Sequence, residues 1–270
     1  MLFTSMVAVA VAGYGALMLL ALSGDKLIFQ PHACGYHLKT LESDGLRCVR
    51  IPVGTASIAA VYMANPNARY TLLYSHGNGE DIGDDLPFLR EFRRAGFAVF
   101  AYDYEGYGAS EGRPSETAVY RDVEAAYDFL TQKIGVPQQQ VIAHGHSLGA
   151  AAAIHLASVR PVAGLIADAP FLSAFRVITR AQILPWDEFD NARAIRNVQC
   201  PVLVIQGTDD EVIPFWHGQR IYELANAPKQ KLWVEGAGHN DVMVVAPGKY
   251  LAAMQEFARS IENGQVKLGL

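Results

Sequence analysis

Short apolar runs alternate with amphipathic stretches along the chain from residue 70 onwards. Six runs have the length and apolar content of buried strands: YTLLYSH, FAVFAYD, QVIAHG, VAGLIADAP, PVLVIQG and KLWVEG. Between them, stretches such as SETAVYRDVEAAYDFLTQKIG repeat apolar residues at helical spacing. Continuous apolar strands that alternate with helices predict an α/β fold, with a mostly parallel central sheet covered by helices on both faces.

Two further regions depart from this alternation. The runs DKLIFQP and GLRCVRIPVGTASIAAVYMANP are typical of short strands punctuated by Gly and Pro, and they predict an antiparallel entry to the sheet. The irregular span at about 171–199 is the only insertion long enough to act as a short lid. Its apolar residues either plug the core or line an acyl pocket, and the sequence leaves both open: Phe175, Ile178, Ile183, Leu184, Trp186 and Phe189.

The N-terminus has the composition of a membrane segment. Residues 1–24 contain no charged side chain, and Leu2 to Leu22 are almost continuously apolar. Such a helix is about 30 Å long, enough to cross a bilayer, so we expect a transmembrane anchor that keeps the protein at a membrane. A cleaved signal peptide is the alternative, although no Lys or Arg precedes the apolar segment. Lys26 and Lys39 follow it and weakly favour a cytoplasmic domain, so the side of the membrane stays open.

Charge and cysteine content exclude several functions. The net charge of −5 and the lack of a basic cluster make nucleic acid an improbable partner. Cys34, Cys48 and Cys200 form no C-x-x-C pair, which argues against a zinc site. A Cys34–Cys48 disulfide is conceivable, but free thiols are the simpler interpretation. No other cluster has the spacing of metal ligands, so neither a metal nor a cofactor is predicted.

A G-x-S-x-G pattern occurs twice, around Ser110 and around Ser147. Ser147 comes directly after an apolar strand and directly before an alanine-rich helix, which predicts a sharp turn that exposes its Oγ at the carboxyl end of the sheet. Ser110 lies in a loop and is soon followed by Pro114. Ser147 is therefore the candidate nucleophile.

A serine nucleophile needs a base and an acid that orients the base. Asp209 and Asp210 follow the strand PVLVIQG, and His239 follows the next strand, KLWVEG. The carboxyl ends of parallel strands share one rim of a sheet, which predicts that these residues approach Ser147. The remaining candidates receive structural interpretations: His76, His144, His146, His155 and His217.

Several motifs occur together in one order: SHGNGEDIG, YDYEGYGASEGRPSE, GHSLG, PVLVIQGTDDEVIPFWHG and EGAGHND. Through them the chain resembles the α/β-hydrolases over about residues 45–264, and in particular the Bem46-like group and the ABHD13- and ABHD17-type hydrolases. The ABHD17 type carries an N-terminal cysteine cluster for acylation, and this chain has a hydrophobic segment instead, which favours the Bem46-like group. The resemblance implies an α/β-hydrolase domain at 25–270.

The resemblance also assigns roles within the motifs. In the pattern G-x-x-D-x-x-V/I-P the acid falls on Asp210, and Asp209 becomes a turn residue. The backbone N–H groups of Asn78 and Leu148 would form the oxyanion hole. The YDYEGYGASEG motif is interpreted as structural, although Tyr104 or Tyr107 could touch the substrate.

These assignments predict a serine hydrolase that cleaves carboxylic esters or thioesters through an acyl-enzyme, with Ser147, Asp210 and His239 as its triad. The expected substrate is a small-molecule, lipid or acyl ester. Two alternatives stay open, namely a serine peptidase or amidase on small peptides and a non-catalytic scaffold. Dehalogenases and epoxide hydrolases on the same fold need an aspartate where this chain has Ser147.

Overall fold

A computed structural model of the protein describes residue 13 and residues 28–43, 46–179, 187–226 and 228–262. Within this part of the chain, no helix has the length and apolar character needed to span a membrane. The predicted anchor at 2–22 lies outside the described residues, apart from the single residue 13, as does the middle of the predicted lid at 180–186.

Eight strands form one sheet in the order β1-β2-β4-β3-β5-β6-β7-β8. Strands β1 and β2 pair antiparallel, and β2 pairs antiparallel with β4. The other neighbours in this order, from β4 through β3 to β8, pair parallel. This confirms the mostly parallel sheet with an antiparallel entry. The strands are β1 Arg47–Val53, β2 Ala56–Met63, β3 Thr71–Ser75, β4 Ala98–Tyr102, β5 Val141–His146, β6 Gly164–Asp168, β7 Val202–Gly207 and β8 Lys229–Val234.

Helices cover both faces of the sheet. Alternate residues of each central strand enter two separate cores, because successive side chains of a strand point to opposite faces. Helices α3, α4 and α7 pack in one core, and helices α2 and α9 pack in the other. The helices are α1 Leu38–Ser43, α2 Ile82–Arg94, α3 Glu116–Asp128, α4 Leu148–Val159, α5 Ala174–Thr179, α6 Asn191–Ala194, α7 Trp216–Leu224, α8 Val242–Val245 and α9 Pro247–Glu262.

The strand predicted at DKLIFQP is wrong for its described part, residues 28–31, which do not join the sheet. The backbone N–H of Gln30 is satisfied by side chains instead, because it donates to Asn78 Oδ1 at 3.0 Å and to Tyr107 Oη at 3.2 Å. Phe29 is buried and packs edge-on against Phe189, with ring centroids 6.0 Å apart. The segment is therefore held by side-chain contacts without a strand partner.

The aromatic residues at the two ends of the predicted lid belong to the core. Phe175 and Phe189 are both buried. The ring of Phe189 also makes edge contacts with Phe171 and Tyr120, at 6.2 and 5.6 Å between ring centroids. The side chains of Ile178, Ile183, Leu184 and Trp186 lie outside the described part, so the choice between core and acyl pocket stays open for them.

Candidate functional site

Ser147 sits on a strained turn between β5 and α4. Its backbone has φ 53° and ψ −114°, a conformation that a residue with a side chain rarely adopts. The turn needs glycine on both sides, because a Cβ on Gly145 would lie 1.9 Å from Gly149 O and a Cβ on Gly149 would lie 1.9 Å from Ser75 O. The Ser147 N–H donates to Asp168 O at 2.9 Å, which ties the turn to the end of β6.

Ser110 is placed quite differently. Its Oγ donates to Asp103 O at 2.8 Å and accepts the Ala59 N–H at 2.8 Å, so the hydroxyl joins its loop to β2. No described histidine contacts Ser110. Of the two G-x-S-x-G serines, Ser147 is the one on a strand–turn–helix.

The structure brings Ser147, His239 and Asp210 together. His239 Nε2 lies 2.9 Å from Ser147 Oγ, and His239 Nδ1 lies 2.8 Å from Asp210 Oδ2. The side chains of His239 and Asp210 are buried. These are the distances that a base between a hydroxyl and an orienting carboxylate requires.

Asp210 is held from several sides. Its Oδ1 accepts the N–H groups of Val212 at 3.0 Å and Ile213 at 2.7 Å, and Gln206 Nε2 donates to its Oδ2 at 3.1 Å. Asp209 is exposed, and its Oδ1 accepts a hydrogen bond from Thr208 Oγ1 at 2.9 Å. The two neighbouring carboxylates therefore differ completely in their surroundings, and only Asp210 reaches His239.

A cavity of about 330 Å³ opens beside Ser147. Asn78 and Leu148, the predicted oxyanion-hole residues, both line it. Leu148 is the first residue of α4, so its N–H has no acceptor within the helix. The apolar wall of the cavity comes from three separate segments of the chain: Ile28, Phe171, Ala174, Val177, Val212 and Ile213.

Asn78 lies in the loop between β3 and α2, and its side chain attaches this loop to the segment that precedes α1. Asn78 Nδ2 donates to Ile28 O at 2.6 Å, and Asn78 Oδ1 accepts from Gln30 N and from Tyr107 Oη, the latter at 2.6 Å. The N–H of the preceding residue, Gly77, donates to Glu80 Oε2 at 2.7 Å. The loop is therefore rigidly supported.

His146, for which the sequence suggested no role, lines the same cavity. Its Nδ1 lies 3.5 Å from Asp168 Oδ2, and its Nε2 lies 3.3 Å from Asn240 Oδ1. Burial opposes protonation, but the carboxylates of Asp168 and Glu80 outweigh it and raise the pKa of His146 to about 10. The pKa of Asp168 is lowered, because the neighbouring His146 outweighs the effect of burial, which by itself would raise it. A buried ion pair between His146 and Asp168 thus lies next to Ser147. The only feature of the sequence that indicated this pair was the position of Asp168 at the end of an apolar strand.

Two other histidines are neutral core residues. His144 contacts the rings of Tyr74 and Phe92, and its Nε2 lies 3.1 Å from Tyr250 Oη. Burial lowers its pKa to about 4. Burial and the charge of Arg176 lower the pKa of His217 to about 4 as well. Neither lines the cavity.

His76 and His155 also have structural surroundings. The His76 ring packs against Tyr104 at 4.4 Å between centroids, and His76 Nδ1 lies 2.8 Å from Gly77 O. His155 stacks on Tyr120 at 3.9 Å and contacts Glu124 on the surface of α3. His76 therefore braces the loop that carries Asn78, and His155 lies on a helix face.

The YDYEGYG motif forms the support behind this loop. The carboxylate of Asp103 is fully buried and accepts hydrogen bonds from Tyr36 Oη and from the Ile82 and Ala109 N–H groups. Tyr104 donates to His76 O at 2.9 Å. Tyr104 and Tyr107 are fully buried, and neither lines the cavity.

Two sequence-based expectations concern groups away from the cavity. All three cysteines are free thiols, so Cys34 and Cys48 do not pair. His32, Asp81 and Asp84 bring possible ligand atoms within 4.8 Å of one another, which their sequence spacing did not suggest. Both carboxylates already cap α2, where Asp81 accepts the Gly83 and Asp84 N–H groups and Asp84 accepts the Asp81 N–H.

Comparisons with known proteins agree with this architecture. Residues 66–186 match the model of the hydrolase family described as serine aminopeptidase, S33. The chain is 39% identical over 221 residues to human alpha/beta hydrolase domain-containing protein 17B, covering 80% of this chain and 76% of the relative. It is 43% identical over 198 residues to alpha/beta hydrolase domain-containing protein aho-3 of Caenorhabditis elegans, and this match covers 71% of this chain but only 58% of the nematode protein.

Among solved structures, the esterase Pf2001 of Pyrococcus furiosus superposes with a TM-score of 0.72 at 19% identity, covering 86% of this chain and 95% of the esterase. At this identity the likeness concerns the fold alone. The chain belongs to the α/β-hydrolase family and is an ABHD17-type enzyme. The sequence analysis named this type among its resemblances, together with the Bem46-like group and the ABHD13 type.

Proposed function

We propose that the protein is a serine hydrolase that cleaves carboxylic ester or thioester bonds through an acyl-enzyme. The observation that supports it is the line of contacts from Asp210 Oδ2 through His239 to Ser147 Oγ, at 2.8 and 2.9 Å. Asp210 accepts the Nδ1–H of His239, so the Nε2 lone pair faces the serine hydroxyl. This is the tautomer that a general base needs.

The proposed reaction has two halves. Ser147 Oγ attacks the substrate carbonyl carbon while His239 Nε2 takes the hydroxyl proton, and the tetrahedral oxyanion accepts the N–H groups of Asn78 and Leu148. His239 then gives the proton to the departing alcohol or thiol, which leaves an ester on Ser147. A water molecule, deprotonated by His239, attacks this ester. His239 then returns the proton to Ser147 Oγ as the bond to the acyl carbon breaks and the carboxylic acid is released.

The cavity wall suits an acyl group. Six of the residues that line it away from the turn at Ser147 have apolar side chains, and Phe171 and Val177 among them come from the predicted lid. An apolar wall stabilises the acyl chain of an ester, while few polar groups fix its carbonyl. A lipid or acyl ester therefore fits better than a polar substrate.

A peptidase or amidase is the second candidate, because the matched family model is described as a serine aminopeptidase. An aminopeptidase needs an anion for the substrate ammonium group. Glu80 is the only acidic residue among the described residues that line the cavity, and its Oε2 accepts the Gly77 N–H at 2.7 Å. With its carboxylate engaged in this way, we favour the ester reaction.

Labelling with a fluorophosphonate tests the nucleophile. We expect peptide mapping to find the adduct on Ser147, the Ser110→Ala variant to be labelled like the wild type, and the Ser147→Ala variant to remain unlabelled. An adduct on Ser110, with Ser147 free, would refute the assignment.

The bond that is cleaved is tested with matched substrates that share one acyl group. We expect turnover of p-nitrophenyl esters and of the corresponding thioester, and little turnover of the p-nitroanilide. Preference for the anilide would support the peptidase or amidase instead.

A further inference from the structure

A second pocket lies behind α5, on the opposite side of this helix from Ser147. It has a volume of about 290 Å³. Ala174 and Val177 of α5 face the cavity at Ser147, whereas Arg176 of the same helix faces the second pocket. Just before α5, Phe171 lines the cavity at Ser147 and Leu172 lines the second pocket. One helix thus forms a wall of both spaces.

Four arginines from four separate elements line this second pocket, which we call the arginine pocket. They are Arg176 of α5, Arg193 of α6, Arg196 of the 3-10 turn Ile195–Asn197 and Arg220 of α7. Among the described residues that line it there is no carboxylate, although the chain as a whole has a net charge of −5. Such a concentration of like charge disfavours the folded state unless an anion compensates it.

Three of the four arginines, namely Arg193, Arg196 and Arg220, have few partners within the described residues. The guanidinium groups of Arg193 and Arg196 are exposed and contact no acceptor in this part of the chain. Arg220 pairs with Glu223 at 2.7 Å, but these side chains are 52% and 60% exposed, and an exposed pair of this kind is weak. Arg193, Arg196 and Arg220 are therefore available to a ligand.

Another arginine-lined pocket in this protein has an ordinary structural explanation. It is lined by Arg47 and by arginines of α2, of which Arg93 and Arg94 belong to the last turn. Cations stabilise the carboxyl end of a helix. In addition, Arg93 Nε donates to Ala64 O at 2.9 Å, and Arg94 pairs with Glu91. Arg193 and Arg196 also lie in the last turns of short helices, and Arg220 has an exposed partner like that of Arg94. The difference is that the side chains of Arg193 and Arg196 contact no acceptor among the described residues.

We propose that the arginine pocket binds a phosphate-bearing anion. The planar guanidinium group carries several N–H donors in a fixed geometry that matches phosphate oxygens, and several arginines from different elements can surround one phosphate. The phosphate could be carried by a phospholipid headgroup or by a soluble phosphate ester, which share this chemistry. This inference is independent of the reaction proposed for Ser147.

Calorimetric titration of the full chain tests the site, with glycerophosphoinositol 4-phosphate as the soluble probe. We expect the Arg193→Gln/Arg196→Gln variant to bind it about tenfold more weakly or worse, because charge-assisted hydrogen bonds are lost. The Arg47→Gln/Arg94→Gln variant removes the same charge from the other arginine-lined pocket and should bind like the wild type. The Ser147→Ala variant should also bind normally, which separates this site from the hydrolytic one.

A second probe distinguishes the two sources of phosphate. Dioctanoyl phosphatidylinositol 4-phosphate has the same headgroup attached to two short acyl chains. Tighter binding of this lipid than of its deacylated headgroup would identify a lipid ligand, and equal binding would identify a soluble phosphate ester. Equal affinities of the two arginine double variants for the headgroup, or no binding by the wild type, would overturn the proposal.

Discussion

The imidazole rings of His146 and His239 lie 5.1 Å apart between centroids, at an interplanar angle of 42°. His146 directly precedes Ser147, and its Nε2 contacts the side chain of Asn240, the residue that follows His239. The two loops that bring Ser147 and His239 together are thus joined by a second histidine. Asp168 at the end of β6 supports that histidine from the other side.

The His146–Asp168 pair predicts a pH-dependent stability. The pKa of His146 is raised from the ordinary 6.5 to about 10, so the folded protein holds one more proton than the unfolded chain between these values. The stabilisation is complete below about pH 6.5 and is lost as the pH rises towards 10, at up to about 1.4 kcal/mol per pH unit. We expect denaturant titrations to show a shallower decline for His146→Gln than for the wild type. The exposed His37→Gln variant is the control, and identical slopes for all three proteins would contradict the prediction.

Asp210 and Asp209 are expected to differ strongly when each is changed to Asn. Asn at position 210 would present an amide N–H to His239 Nδ1, which favours the tautomer whose Nε2 carries the proton and cannot accept one from Ser147. We expect kcat for a p-nitrophenyl ester to fall about 10⁴-fold. Asp209→Asn should stay within a few-fold of the wild type, because Asp209 is exposed and contacts Thr208. The opposite ranking would show that the acid is Asp209.

Gly149 is expected to be irreplaceable for packing. A Cβ there would lie 1.9 Å from the backbone oxygen of Ser75 in the central strand β3, which cannot move without disturbing the sheet. Gly149→Ala should therefore lower the free energy of unfolding by about 3 kcal/mol or more. Gly248 in α9 has no atom within 4 Å of a Cβ, and Gly248→Ala is the matched control. Thermal and denaturant unfolding compare the two; similar effects would count against this account of the turn.

The apolar segment at 2–22 predicts a protein that resists carbonate extraction from membranes. Changing Val9 and Ala12 to Arg would place two charges near its middle, at a cost of about 2.5–3.5 kcal/mol each in a bilayer. We expect this variant to be extracted, while a variant with Leu at both positions behaves like the wild type. Mass spectrometry of the mature chain tests the alternative, because an N-terminus just after Ser23 would identify a cleaved signal peptide.

The central strands and the neighbours of Ser147 were predictable because each has a local signal. An apolar run marks each parallel strand. The polar residues that follow β7 and β8 lie at the same edge of the sheet as Ser147, because the carboxyl ends of parallel strands share one edge. Glycine on both sides of Ser147 marked the turn. These features depend on short stretches of sequence and on the geometry of a parallel sheet.

The contacts of Gln30 and His146 could not be predicted in this way. DKLIFQP has the composition of a strand, yet its backbone finds acceptors on side chains from distant loops, and no local pattern reveals such partners. The charge of His146 depends on Asp168, Glu80 and Asn240, which the fold gathers from separate segments. Likewise, only the packing of α5, α6 and α7 gathers the arginines of the second pocket.

The hydrogen bonds that join Asn78 to Ile28 and Gln30 have a mechanical consequence. The chain enters the domain through these residues, and the same residues line the cavity beside Ser147. A pulling force on the chain ahead of Ile28 would therefore reach the Asn78 loop before it reached any strand of the sheet. In a single-molecule pulling experiment, hydrolysis should stop at a lower force than the one that unfolds the domain.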